Sequence, residues 1–279
     1  MASAGVRNLG TRVNSWRLAV GIAALAATSA AQIPYNPSAA APRPAGRGGG
    51  RGPAMSPKQA APIDMTGYWV SVVTEDWKFR MVTPKKGNTS GVPLNAEGRK
   101  VADAWDPAMD EAAGNQCRSY GAAGLMRVPG RFHITWENDT TIKVEADAGT
   151  QTRLFHFGNP ISPVVSKEVQ AAEPSWQGYS VAEWETAAGG RGEARTGNLK
   201  VTTTRMLPGY LRKNGVPYSA DAVLTEYYDR ITAPNGDDWL VVTTEVRDPQ
   251  FLNSPFITST HFKKQADAKG WAPEACSAK

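Results

Sequence analysis

Period-2 alternation of apolar and polar residues runs through most of the chain from Thr66 onward. It predicts a mainly-β fold: a single antiparallel β-barrel with a short helical insertion. Three observations carry this expectation. Alternation recurs in many short segments. Turn-forming residues such as Asn138-Asp139 and Asn235-Gly236-Asp237 separate them. Helical signals are confined to one stretch, near residues 95–113. Spacing of this kind fits a meander closing on itself rather than βαβ units.

In chain order, the first strand segment covers 68–73, with Tyr68, Val70 and Val72 opposite Trp69, Ser71 and Val73. A second covers 77–81, where Trp77, Phe79 and Met81 oppose Lys78 and Arg80. Asn95 is placed to cap a helix reaching about Trp105. Asp106-Pro107 then reads as N-cap and first residue of a second short helix, to about Ala113. Alternation resumes with Phe132, Ile134 and Trp136 opposite Arg131, His133 and Thr135. It continues with Ile142, Val144 and Ala146 opposite Lys143, Glu145 and Asp147. Further strands are expected at 151–157, 180–186, 199–206, 223–232, 239–247 and 256–264. Residues 158–179 and 189–197, rich in Gly, Pro and Ser, read as loops.

The N-terminus divides differently. Arg7, Arg12 and Arg17 precede an apolar stretch from Leu18 to Ala27, followed by small residues. This pattern predicts a secretory signal peptide over 1–31. The apolar run falls short of the ~20 residues a membrane-spanning helix needs. Residues 32–62, rich in Ala, Pro, Gly and Arg, bury too little apolar surface to offset their ordering entropy and read as a disordered tether. The expected barrel domain is 63–279, and the chain is expected to act in the periplasm or as a secreted protein, with no stable membrane insertion once the signal is removed. Charge follows the same division. The seven cations before Asp64 meet no acid, and removing them from the net +5 leaves −2. A near-neutral body excludes nucleic acid as a partner recruited by bulk charge. The only cysteines, Cys117 and Cys276, are expected to pair as a disulfide on grounds of compartment.

Gly67-Tyr68-Trp69 resembles the G-x-W signature that opens the first strand of lipocalins and related calycin barrels. Thr225-Glu226-Tyr227 loosely resembles their T-D-Y motif, departing from it at Glu226. The resemblance implies a calycin-like barrel in which Trp69 packs across one end. The stretch Gly67 to Trp77 and the sequence Asn214-Gly215-Val216-Pro217-Tyr218-Ser219 are also similar to a group of secreted bacterial proteins. That likeness covers nearly the whole mature chain and implies no particular activity.

Several strands do not sort into apolar and polar faces. Arg153 shares a face with Phe155 and Phe157; Glu226, Tyr228 and Arg230 lie together; Tyr227 sits with Asp229; His261 shares a face with Ile257. A charge turned into an apolar interior is costly unless paired. Either these faces meet solvent or form a structural ion pair, or they line a partly polar lumen. The lumen reading names Trp69, Trp77, Arg80, Trp136, Arg153, Tyr228 and His261 as ligand-binding residues. The connection 209–219 adds Tyr210, Arg212 and Tyr218 near a barrel mouth, where an anion would fit. His133, His156 and His261 show no metal-ligand spacing, so neither metal nor cofactor is expected. Glu145, Asp147, Glu226, Asp229 and Glu245 are the available acid–base carboxylates.

Three functions are consistent with these residues. The first is an exported protein holding a small, partly apolar ligand in its lumen. The second is a lumen lyase, isomerase or hydrolase, with His261 and either Glu226 or Asp229 as catalytic pair, since histidine titrates near neutrality and a carboxylate can orient it. The third is an interaction module of the cell envelope.

Overall fold

The computed structural model describes residues 55–158, 167–187 and 196–279. The expected signal peptide and the tether as far as residue 54 lie outside the described residues. So do 159–166 and 188–195, within the two expected loops. The strands in chain order are β1 (Gly67–Val72), β2 (Arg131–Asn138), β3 (Thr141–Ala146), β4 (Ala148–Gly149), β5 (Gln151–Phe157), β6 (Tyr179–Ala187) and β7 (Thr196–Thr204). They continue with β8 (Gly209–Arg212), β9 (Val216–Tyr218), β10 (Val223–Thr232), β11 (Asp238–Arg247), β12 (Phe256–Gln265) and β13 (Glu274–Ala275). The helices are α1 (Trp77–Arg80), α2 (Ala96–Ala104), α3 (Pro107–Ala112), α4 (Ala122–Leu125) and α5 (Lys167–Ala171), with a 3-10 turn at Gln116–Tyr120.

Nine strands close into a barrel in the order β1-β12-β11-β10-β7-β6-β5-β3-β2. Alternation determines what fills it. Ile134 of β2, Val144 of β3, Phe155 of β5, Leu199 and Val201 of β7, Tyr228 of β10, Val242 of β11 and Phe262 of β12 all turn inward and are buried in one cluster. Every strand segment expected from the sequence forms a barrel strand except 77–81, which is the single-turn helix α1. Period-2 alternation over five residues does not separate a strand from one helical turn. Tertiary contacts decide the matter, because the Arg80 side chain is drawn inward to Glu75, the Ser71 hydroxyl and the Arg127 carbonyl.

The barrel is not purely antiparallel. β5 and β6 run parallel, with Phe155 opposite Ser180 and Phe157 opposite Ala182. Strictly alternating directions around a closed sheet require an even strand count, so nine strands force a parallel seam. The chain leaves β5 at one end of the barrel and enters β6 at the other.

Residues 55–66 form a strap against the end where β1 begins. The Lys58 amide donates to the Asp139 carbonyl, and Trp184 Nε1 donates to the Pro57 carbonyl at 2.8 Å. Residues 55–62, which the sequence reading assigns to the tether, are therefore in contact with the barrel. The opposite end is capped by residues 73–130 and by the hairpin of β8 and β9. Leu94, Ala102, Ala122, Leu211, Val216 and Tyr218 of this cap share a second core with Leu224, Val246 and Phe256 from the strand ends. The hairpin turns at Asn214-Gly215. Gly215 has φ +79, and a Cβ there would meet the Trp105 ring at 2.1 Å. A disulfide joins Cys117 in the 3-10 turn to Cys276 in the C-terminal tail.

Candidate functional site

Inside the barrel, Arg153 and Glu226 form a fully buried bidentate pair, with Nη1 to Oε1 at 3.0 Å and Nη2 to Oε2 at 2.6 Å. Arg153 also donates to Thr203 Oγ1 at 3.2 Å and stacks on Phe155. Glu226 holds the guanidinium charged, raising its pKa against the cost of burial. Tyr228 lies buried beside the pair, and burial, with the Glu226 charge, pushes its pKa well up. These groups are surrounded by the apolar interior. Geometry of this kind fits a structural ion pair.

The other sequence candidates disperse. Trp69 is buried at the strap end, where its Nε1 donates to the Met65 carbonyl at 2.8 Å and Lys264 lies over its ring. Trp136 stacks with Phe157 at that same end. Trp77 is exposed on α1. His261 and Asp229 both occupy the outer wall, because their strand neighbours Phe262, Thr260 and Tyr228 face inward. Both pair with Val241, so two strand spacings, about 10 Å, separate their backbones. Glu226 lies on the inner face. Strand alternation therefore does not bring His261 together with Glu226 or Asp229, the expected catalytic partners. His261 instead places Nδ1 3.0 Å from Glu75 Oε2 and 3.2 Å from Thr74 Oγ1.

Arg80 leads to a different site. Together with Arg127 and Arg212 it lines a recess at the cap end. Each comes from a separate element: Arg80 from the end of α1, Arg127 from the segment after α4, Arg212 from the end of β8. All three are buried, at 7%, 5% and 5% exposure. Phe79 stacks on the Arg212 guanidinium at 4.1 Å, and Phe256 faces both Arg212 and Arg127. The recess holds about 360 Å³ of empty space including its mouth. Phe79, Val82, Val128, Pro129 and Leu211 form its apolar walls; Ser119, Thr83 and Lys213 complete the polar lining.

Its electrostatics are unbalanced. Among the described residues the lining contains four cations and no carboxylate. Just outside it, Glu75 holds Arg80, and Asp76 Oδ2 lies 3.1 Å from Arg127 Nη2. Arg212 donates Nη1 to the Ser90 carbonyl at 2.7 Å. Arg127 Nη1 and Arg212 Nε are buried without hydrogen-bond partners. Burial, then repulsion from Arg127, pulls Arg80 and Arg212 down to about 10 each. Burial also lowers Arg127, against the pull of Asp76. All three guanidiniums remain charged at neutral pH. Planar N–H forks of this kind match carboxylate, phosphate or sulfate oxygens.

The sequence reading found Arg80 and placed Arg212 near a barrel mouth, but missed Arg127. One signal for it was present: Arg127 interrupts the run Ala122-Ala123-Gly124-Leu125-Met126 and Val128, where an isolated charge has no surface face to occupy. No group of His, Cys, Asp and Glu among the described residues is arranged to hold a metal ion. No family model, curated protein or solved structure matches the chain.

Proposed function

We propose that this protein is an exported binder of a small anion with an apolar body, held in the arginine recess at the capped end of the barrel. The observation that carries the reading is the convergence of Arg80, Arg127 and Arg212 on a lining without carboxylates, with buried N–H groups left unpaired. An unmet buried donor costs about 1–3 kcal/mol, which an oxyanion at the recess recovers. Phe79, Val82 and Leu211 receive the apolar part of the ligand. The site differs from the lumen first expected, since the lumen centre is occupied by the Arg153–Glu226 pair and its apolar surround.

Export is supported by the Arg7–Arg17 pattern with its following apolar run, and by the Cys117–Cys276 disulfide. Kinship with calycin barrels is supported by the burial of Trp69 across the strap end. Nine strands and a parallel seam set this barrel apart from the eight-stranded lipocalins.

Calorimetric titration with sulfate, inorganic phosphate, benzoate and phenyl phosphate tests the binding reading. Aryl anions should bind tighter than inorganic ones, and high salt should weaken all of them. Arg127→Met should weaken binding by about tenfold or more, the scale of losing one charge-assisted hydrogen bond. The same substitution should leave folding stability unchanged or improved, because it relieves repulsion on Arg80 and Arg212. Unaltered affinity in Arg127→Met refutes the site.

A second reading, acid–base turnover of the bound anion, rests on the His261–Glu75 contact, since Glu75 also holds the recess residue Arg80. In that case His261→Ala abolishes turnover while anion affinity persists.

A further inference from the structure

Helix α1 presents two different faces beside the recess. Phe79 and Arg80 turn inward, onto Arg212 and Arg127. Trp77 and Met81, one turn apart, point outward together with Val82, at 56%, 59% and 66% exposure. These are among the most exposed large apolar side chains described, and they are neighbours on the same short segment. Isolated exposed apolar residues are ordinary, whereas a tryptophan, a methionine and a valine gathered on one protrusion are not.

The polar surroundings of this tip indicate what it meets. From Trp77 to Ala96 the sequence contains no acidic residue, while Lys78, Lys85 and Lys86 of the same stretch are exposed. Lys78 Nζ lies 5.8 Å over the Trp77 ring. The carboxylates that precede Trp77 in sequence, Glu75 and Asp76, are engaged with Arg80 and Arg127. An apolar tip carrying tryptophan, in a stretch whose only charges are cationic, has the composition of an interfacial membrane anchor: the apolar side chains enter the headgroup–acyl boundary and the lysines meet lipid phosphates. No described helix is long and apolar enough to cross a membrane, so the contact is peripheral.

We propose that the α1 tip docks this protein onto the surface of an anionic lipid bilayer. The contact is made by Trp77, Met81 and Val82 and is strengthened by Lys78, Lys85 and Lys86. It orients the recess mouth toward the membrane, because Phe79 and Val82 also line the recess.

Co-sedimentation with lipid vesicles tests the proposal, using the full chain with its disulfide intact. Vesicles of phosphatidylglycerol mixed with phosphatidylcholine should bind the protein; vesicles of phosphatidylcholine alone should bind it far more weakly. Raising ionic strength from about 0.1 M to about 1 M, which shortens the screening length from ~10 to ~3 Å, should release most of it. Trp77→Ala and Met81→Ser should each weaken binding by about tenfold, the scale of one lost buried apolar side chain. Lys85→Glu with Lys86→Glu should weaken it at least as much. Both kinds of substitution are on exposed side chains, so thermal melts of the variants should superimpose on the parent.

Arg127→Met separates this proposal from anion binding: it should lose free anions and keep vesicle binding. If vesicle binding follows Arg127 and ignores Trp77 and Met81, the headgroup sits in the recess and the α1 proposal is overturned. It is equally overturned if no vesicle binds, or if Trp77→Ala abolishes a concentration-dependent self-association and nothing else.

Discussion

At the scale of single residues, most unusual side chains resolve into pairs. Arg153 and Glu226 satisfy each other inside the barrel at a desolvation cost that only a tight bidentate geometry recovers. Glu226→Gln leaves Arg153 charged, buried and half-paired, and chemical denaturation should show a loss of about 3–5 kcal/mol. Replacing both partners, Arg153→Met with Glu226→Leu, removes charge and counter-charge together and should recover most of that loss. A double variant as damaged as the single one rules out ion pairing as the reason for charge in this interior. His156 offers a residue-level pH test. It stacks on Tyr179 at 4.9 Å, and burial lowers its pKa below the ordinary 6.5. The unfolded chain then takes up the proton more readily than the folded one just below pH 6.5. Stability from this group is complete above that value and is lost as pH falls through the folded pKa. His156→Phe should flatten the fall in stability between about pH 7 and about pH 5, relative to the parent. Equal slopes in the two proteins dismiss His156 as the source.

At the scale of elements, legibility tracked burial on one face. β2, β3, β10 and β11 were readable because each packs alternate residues such as Ile134, Val144, Tyr228 and Val242 into a single interior. α2 and α3 were readable at their starts, where Asn95 accepts from the Gly98 amide and Asp106 from the Ala108 amide, both at 2.9 Å. The G-x-W motif also has a local mechanical cause. Gly67, at φ +110, turns the chain from the strap into β1 and brings the Trp69 indole back onto the Met65 carbonyl. Three features were illegible for different reasons. Alternation carries no strand direction, so the parallel β5–β6 seam was hidden. α1 is too short for its period to differ from that of a strand. The recess is assembled from three elements distant in sequence, so its charge cluster exists only after folding. The outward position of His261 is illegible for a related reason: facing an apolar neighbour on its own strand does not tell which side of the barrel wall that face occupies.

At the scale of the whole molecule, the barrel and its cap form separate cores joined through the strand ends, and the disulfide ties the cap at Cys117 to a tail that packs against the barrel core at Cys276. Cys117 lies in the 3-10 turn that also carries Ser119 of the recess lining and Arg118. Arg118 donates to Asp110 at 2.7 Å and to the Tyr210 hydroxyl at 3.1 Å, and Tyr210 donates to Asp110 at 2.8 Å. This network, in which burial and Asp110 push Tyr210 up to about 12, ties the turn to β8 and so to Arg212. Cys276 anchors the turn to a tail whose strand β13 pairs with β4. The bridge spans 159 residues, a long loop whose closure removes much freedom from the unfolded chain. Replacing both cysteines by serine should therefore cost about 2–5 kcal/mol of stability. The loss should also be uneven. Hydrogen exchange should quicken in residues 105–125 and 209–218, while β10, β11 and β12 keep their protection. Anion affinity should fall together with that local protection, because Ser119, Arg127 and Arg212 are aligned by the cap. Uniform loss of protection across barrel and cap would instead mean one cooperative unit. Full anion affinity in the serine variant would mean that the recess is held by the barrel without help from the bridge.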